Sequence, residues 1–315
     1  MNRICELFGI KYPIIMGGMS WAGTPKLAAA VSEVGGLGII GAGPMRKDDL
    51  QKAIDEIRNL TDKPFGVNII LVSPYADELV ETVIENKVPV VTFGAGNPTK
   101  YIKSLKDIGT KVVPVVASDS LARMVERSGA DAIVAEGMES GGHIGEVSTF
   151  VLVNAVSRKV KIPVIAAGGI VDGRGMAASF ALGAEGIQMG TRFIASTEAE
   201  IHENFKKLII KSGIRDTVVT GASLGHSARV IKTKFAKKVK ELEVSSPEEA
   251  ENILVGSLKK AVLNGNLDEG SFMAGQTAGL IDEIKTVKEI IEEIIKEFNE
   301  VIKNLEEIHL WNIKI

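Results

Sequence analysis

Residues 163–191 read PVIAAGGIVDGRGMAASFALGAEGIQMGT. Two short apolar runs, Pro163-Val164-Ile165-Ala166-Ala167 and Gly186-Ile187-Gln188-Met189, flank a segment that Asp172 can cap as a helix. Each run is too short for a helix and nearly continuous in apolar character, which suits a parallel strand covered on both faces. Each also ends in a small, flexible turn, Gly168-Gly169 after the first and Gly190-Thr191 after the second. Strand, helix and strand make one βαβ unit, and its repetition decides the fold.

The unit does repeat. Earlier runs are Pro13-Ile14-Ile15-Met16, Leu37-Gly38-Ile39-Ile40, Gly66-Val67-Asn68-Ile69-Ile70 and Pro89-Val90-Val91-Thr92-Phe93, then Val112-Val113-Pro114-Val115-Val116 and Ala132-Ile133-Val134-Ala135. Helix signals lie between them: Thr24-Pro25 opens KLAAAVSEV and Gly35-Gly36 closes it, Ser73-Pro74 and Asn97-Pro98 open two more, and Ser118 can cap another. Eight strands alternating with helices over about 190 residues predict an α/β fold of the (β/α)8 TIM-barrel type. A doubly wound open sheet is the alternative, weakened because no G-x-G-x-x-G turn follows the first strand. After strand eight the alternation stops. Residues 196–271 read as a small helical, basic lid or docking domain, and residues 1–195 and 272–315 as the barrel. The segment TVKEIIEEIIKEFNEVIKNLEEIHLW spaces its apolar residues as an amphipathic helix returning to the barrel.

Composition narrows the function classes. The chain has 315 residues, 45% hydrophobic and 24% charged, with a net charge of −3, so no overall basic character points to nucleic acid. Cys5 is the single cysteine, which excludes an internal disulfide and a zinc-thiolate cluster and favours a cytoplasmic setting. No apolar stretch approaches the roughly 20 residues of a membrane span.

In a (β/α)8 barrel the chemistry sits at the carboxyl ends of the strands. Those ends carry Gly17-Gly18-Met19, Asn68, Gly94-Ala95-Gly96-Asn97, Glu136-Gly137, Ala167-Gly168-Gly169 and Gln188-Met189-Gly190-Thr191. Glycines in the last two loops leave backbone N–H groups bare toward a phosphate, and Thr191 adds a hydroxyl. No lysine stands at these ends for Schiff-base chemistry, and no acidic cluster has metal-ligand spacing. Gly17-Gly18-Met19 allows a planar ring to approach the backbone, while Asn68 and Gln188 offer amides to a heterocycle. Flavin mononucleotide (FMN) fits this set. A non-redox phosphate-binding barrel stays open as an outsider.

Six stretches, YPIIMGGMSW, DKPFGVNI, AEGMESGGHIG, IPVIAAGGI, LGAEGIQMGTRF and GSFMAGQTAGL, occur in one order over about residues 1–280. They resemble the flavin-dependent enoyl-acyl-carrier-protein reductase II family. Its close relative is the nitronate monooxygenase (2-nitropropane dioxygenase) family. GGMSW and EGMESGGHIG, with Ile144 after the histidine, are closer to the reductases. The resemblance implies reduction of a trans-2-enoyl thioester on acyl-carrier protein by NADH or NADPH, with FMN as cofactor. A monovalent cation, at no assignable ligands, and a homodimer are further expectations. Gly17, Gly18, Met19 and Asn68 would flank the flavin ring. Glu136, Gly141, Gly142, Ala167, Gly168, Gly169, Gln188, Met189, Gly190 and Thr191 would hold its edge, ribityl chain and phosphate. Ser271 and Gln276 would close over it. His143, in the glycine-rich loop, would donate a proton or stabilise an oxyanion, or act as a base in a nitronate monooxygenase.

Of the other histidines, His226 is placed at the substrate entrance or in a cap, and His202 and His309 at the surface or in packing. Lys206, Lys207, Lys211, Arg215, Arg229, Lys232, Lys234, Lys237, Lys238 and Lys240 surround a single acid, Asp216. Such a run is either a solvated face or a dock for an acidic carrier.

Overall fold

The computed structural model describes residues 2–307; His309 and the last residues of the terminal segment lie outside that range. In chain order the strands are β1 (Ile14–Met16), β2 (Gly38–Gly41), β3 (Phe65–Ile70), β4 (Val90–Gly94), β5 (Lys111–Val116), β6 (Ile133–Glu136), β7 (Gly142–His143), β8 (Val164–Ala167), β9 (Gly186–Met189), β10 (Thr217–Thr220) and β11 (Ala228–Ile231). Eight of these run parallel in the order β1-β9-β8-β6-β5-β4-β3-β2. A bridge between Ile15 and Leu37, with the Leu37 N–H donating to the Ile14 carbonyl at 2.9 Å, joins β1 to β2 and closes the ring. The (β/α)8 barrel read from the repeating runs is the fold.

Strand parity sorts the side chains into two cores. Ile15, Leu37, Ile39, Val90, Val113, Val134 and Ile165 fill the barrel, where Ile4 and Phe8 of the helix Arg3–Phe8 join them. Ile14, Met16, Val67, Ile69, Val91, Phe93, Ile133, Ala135, Ile187 and Met189 face the surrounding helices. Burying each large aliphatic side chain contributes about 1.5–3 kcal/mol. The same parity leaves Asn68, Thr92, Glu136 and Gln188 pointing into the barrel near its carboxyl-terminal end. Those polar residues occupy interior positions that a plain core would fill with Val or Ile.

The helix caps follow the signals closely. Thr24 accepts from the Leu27 N–H, Ser118 from Leu121 and Asp172 from Gly175. Gly35 takes φ +104° to end the first of these helices. The helices after Ser73 and Asn97 begin slightly later, at Ala76 and Thr99, because those two side chains fold a turn first, accepting from the Tyr75 and Thr99 N–H groups.

The last helix, Val287–Glu306, buries Val287, Ile290, Ile291 and Ile294 and returns to the barrel. It crosses the start of the helix Gly173–Ala181 so closely that a Cβ on Gly173 would lie 2.3 Å from the Phe298 nitrogen. Gly173 N–H donates to Glu297 at 2.8 Å and Phe180 meets Phe298 edge-on, which fixes that crossing.

The segment 196–271 carries the helices expected of it over about half its length, with one addition. It contains Glu203–Lys211, Lys234–Ser245, Pro247–Leu254 and Ser257–Asn264, but also the antiparallel pair β10–β11. β11 pairs in turn with β7, setting Ala228 against His143 and Arg229 against Gly142. The loop after β6 is thereby stitched to the insertion as the third strand of a small sheet.

Candidate active site

A cavity of about 430 Å³ opens over the carboxyl ends of the barrel strands. Gly17, Gly18, Met19, Asn68, Glu136, Gly141, Gly142, His143, Ala167, Gly168, Gly169, Gln188, Met189, Gly190 and Thr191 all line it. Ser271 and Gln276 do not. The Ser271 hydroxyl instead accepts from Ser257 at 2.9 Å inside the insertion, and Gln276 points outward.

The floor is built by close approach. A Cβ on Gly18 would sit 2.2 Å from the Asn68 side chain, so only glycine lets the β1 loop lie over that amide. Asn68 is itself steadied by donating to Thr92 Oγ1 at 2.8 Å. On the far side Gly168 and Gly169 take φ +89° and +72°, a left-handed turn that L side chains rarely adopt. Thr191 opens the short helix Thr191–Ile194 and accepts from the Gly275 N–H at 2.9 Å, leaving its own hydroxyl proton to donate elsewhere.

Two titratable groups face the cavity. Glu136 borders its open space yet is surrounded by protein, and desolvation raises its carboxyl to about 7. The neighbouring Ser140 hydroxyl works the other way, favouring the carboxylate, although it makes no hydrogen bond of ordinary geometry. Ser140 is 9% exposed and its Oγ has no partner. A buried hydroxyl without a partner costs about 1–3 kcal/mol, and here it lines a cavity able to hold a ligand that would satisfy it. His143 stands on β7 with open space around its ring, but that space is the cavity. Burial first, and the nearby His226 second, hold its imidazolium below the ordinary value, so the ring is neutral at pH 7. His226 itself contacts Glu251 at 2.7 Å and does not line the cavity. His202 caps the helix Glu203–Lys211 through the Asn204 N–H.

Several lining residues carried no signal that reading could use. Met273, Gly275 and Thr277 come from the strap 272–277, which crosses the Ser140–Gly142 loop so tightly that a Cβ on Gly141 would lie 2.6 Å from Ala274. Phe205, Leu258 and Val262 come from the insertion and wall the cavity. Periodicity alone makes them indistinguishable from ordinary core. The helix Ser257–Asn264 is tied to the β1 loop by the Lys259 ammonium, 5.0 Å from the centre of the Trp21 ring. The basic run is partly dismantled: Lys206 and Arg229 are buried and Lys240 pairs with Glu243. Lys207, Lys211, Arg215, Lys232, Lys234, Lys237 and Lys238 remain exposed.

No group of three or more His, Cys, Asp or Glu side chains could hold a metal ion among the described residues. No described helix is long and apolar enough to cross a membrane.

Residues 1–297 match the family described as nitronate monooxygenase. The chain belongs to that family. Its members are flavin-dependent oxidoreductases, and the family extends across different named activities. The solved structure of FabK from Thermotoga maritima is 70% identical with a TM-score of 0.96, over 97% of this chain and 98% of that one. A Staphylococcus aureus protein described as "Probable nitronate monooxygenase" is 37% identical over 96% of this chain and 98% of its own. A Mycobacterium tuberculosis member, (3aS,4S,5R,7aS)-5-hydroxy-7a-methyl-1-oxo-octahydro-1H-indene-4-carboxyl-CoA dehydrogenase, is 34% identical over 93% of this chain and 94% of its own.

The residues present suit the family's flavin. Glycine loops with positive φ and a close-approach glycine over an inward amide leave room for a planar ring, and the unpartnered buried Ser140 hydroxyl offers it a hydrogen bond.

Proposed function

We propose that the protein is an FMN-dependent enoyl-acyl-carrier-protein reductase that uses NADH or NADPH. The observation that carries this reading is the 70% identity to FabK, the enoyl-acyl-carrier-protein reductase II, over nearly the whole chain. The CoA-thioester name of the mycobacterial relative agrees with a thioester substrate.

Gly168, Gly169, Gly190 and Thr191 would hold the FMN phosphate, and Gly17, Gly18, Asn68, Glu136 and Gln188 the ring. Bound there, the flavin would supply the hydride relay between nicotinamide and the enoyl carbon–carbon double bond. The rest falls to this chain. Val115, Leu121 and Ile144 on one side, with Phe205, Leu258 and Val262 on the insertion, give the cavity apolar walls that keep water from the reacting carbons. Being neutral, His143 has an N–H to offer the thioester oxygen as negative charge develops there. The exposed lysines of the insertion would steer an acidic carrier protein toward the cavity.

The same neutral ring favours a second reading. A neutral imidazole is also a competent base, and the family description and the Staphylococcus relative point to nitronate oxidation. One experiment separates the two. The purified protein is mixed anaerobically with NADH, then with crotonyl thioester, while the flavin absorbance is followed. Bleaching by NADH and recolouring by the thioester is expected; bleaching by a nitronate but not by NADH would establish the second reading instead.

A further inference from the structure

Arg229 is 5% exposed, in the middle of β11, and does not line the cavity. It lies opposite Gly142, next to the residue that faces His143. Side chains alternate across a sheet, so Arg229 and His143 leave opposite faces. On its face Arg229 reaches back over the loop that carries the histidine. Its Nε–H donates to the Met138 carbonyl at 3.0 Å and its Nη1–H to Thr217 Oγ1 at 3.1 Å. Burial lowers its pKa, and the negative charge of Glu139 partly restores it.

Glu139 in turn accepts from the Thr149 N–H at 2.9 Å and from its hydroxyl at 2.8 Å, at the start of the helix Thr149–Ser157. Thr149 Oγ1 is also 2.9 Å from the Gly168 carbonyl. One buried guanidinium therefore ties the start of the loop leading to His143 to β10, while the adjacent Glu139 carboxylate ties the same loop to Thr149 and so to the glycine turn on the far side. A loop made of Gly137, Gly141, Gly142 and Gly145 loses much backbone entropy on ordering, so it needs external fixation.

We infer that Arg229 is a positioning residue, which fixes the 138–145 loop and so places His143 in the cavity; this rests on the reductase reading above. The guanidinium touches neither the cavity nor the reacting atoms. It acts through the Met138 carbonyl, which it ties to Thr217 of β10.

The test uses Arg229→Met, close in length but without the two donors, and Arg229→Lys, which keeps the charge but lacks the Nε–H to Met138. Hydrogen exchange of cofactor-free protein is read first. Amides 138–145 of R229M should exchange at least about tenfold faster, with the barrel strands unchanged. In FMN-loaded protein, bleaching by NADH should stay within about twofold of wild type, and recolouring by crotonyl thioester should slow at least about tenfold. R229K should fall between wild type and R229M in both readouts. Wild-type exchange and recolouring in R229M would overturn the inference, as would equal slowing of both steps with faster exchange throughout the barrel. If R229M does not fold, R229K decides: wild-type behaviour in it overturns the inference, and selective loosening of 138–145 upholds it. If wild type is neither bleached nor recoloured, the reductase reading fails, while the exchange measurement still judges Arg229.

Discussion

Replacing Glu136 by glutamine removes the one carboxyl that the barrel mouth holds against its own ionisation. Desolvation raises it from an ordinary 4.5 to about 7. The folded protein thus binds that proton more tightly than the unfolded chain does. The resulting stabilisation is fully present below the unfolded value and is lost as pH rises through about 7. At 1.36 kcal/mol per unit the whole shift corresponds to about 3 kcal/mol, of which roughly 2–3 kcal/mol is lost between pH 5 and 8. Glutamine matches the protonated acid in shape and stays neutral. E136Q should therefore exceed wild type by only about 1 kcal/mol at pH 5 and by about 3 kcal/mol at pH 8, a gap that widens by roughly 2–3 kcal/mol across the range. His143 titrates in the opposite sense: its folded value is depressed, so its contribution is present above its unfolded pKa and lost as pH falls. It is common to both proteins and cancels in their difference. Urea denaturation of cofactor-free wild type and E136Q at four pH values from 5 to 8 measures that difference directly. Stability curves that stay parallel across this range would refute the argument, because they would show Glu136 ionising as freely in the fold as out of it.

Four further outcomes follow from the site and the insertion's surface. His143→Ala should keep FMN, read from the visible absorbance, but lose about 10²-fold or more in kcat with crotonyl thioester. Near-normal turnover would remove the histidine's role. Gly18→Ala forces a Cβ to 2.2 Å from Asn68, so it should cost about 1–3 kcal/mol and purify with less FMN. Gly94→Ala lines the same cavity with nothing within 4 Å of its new Cβ, and should change stability by no more than about 0.5 kcal/mol. KM for carrier-bound substrate should rise at least about threefold as salt is raised, with a smaller change for a coenzyme A thioester. Equal salt responses would end the docking role of the exposed lysines.

How far the sequence could be read depends on the range of the interaction concerned. Strand runs, caps and glycine turns are local, and residues 163–191 alone contain a strand, its glycine turn, a capped helix and the next strand. Parity then carries the reading inward: in Val67-Asn68-Ile69 the two apolar residues face helices, so the amide between them must face the barrel. The hairpin β10–β11 is not legible because four-residue strands such as Thr217–Thr220 show too short a pattern to separate from helix, and β7, the second partner of β11, lies far away in the chain. The resemblance alone points Ser271 and Gln276 at the cavity, and neither lines it. Gln276 stands between Gly275 and Thr277, which line the cavity, and Ser271 is drawn to Ser257 by two hydrogen bonds.

Arg229 shows why such residues stay hidden. In the linear sequence it is one cation among ten between Lys206 and Lys240, and charge alone assigns it to the solvated or docking face. Its position in β11 decides otherwise. Ala228 beside it must face His143, so the guanidinium must leave on the other side, where the Met138 carbonyl and the Thr217 hydroxyl receive it and the charge of Glu139 favours it. The charge is held inside because several groups share its desolvation, an arrangement that only the pairing of β7 with β11 creates. It follows that the insertion completes the candidate site as well as covering it: the loop carrying His143 belongs to the barrel in sequence and to the insertion's sheet in hydrogen bonding.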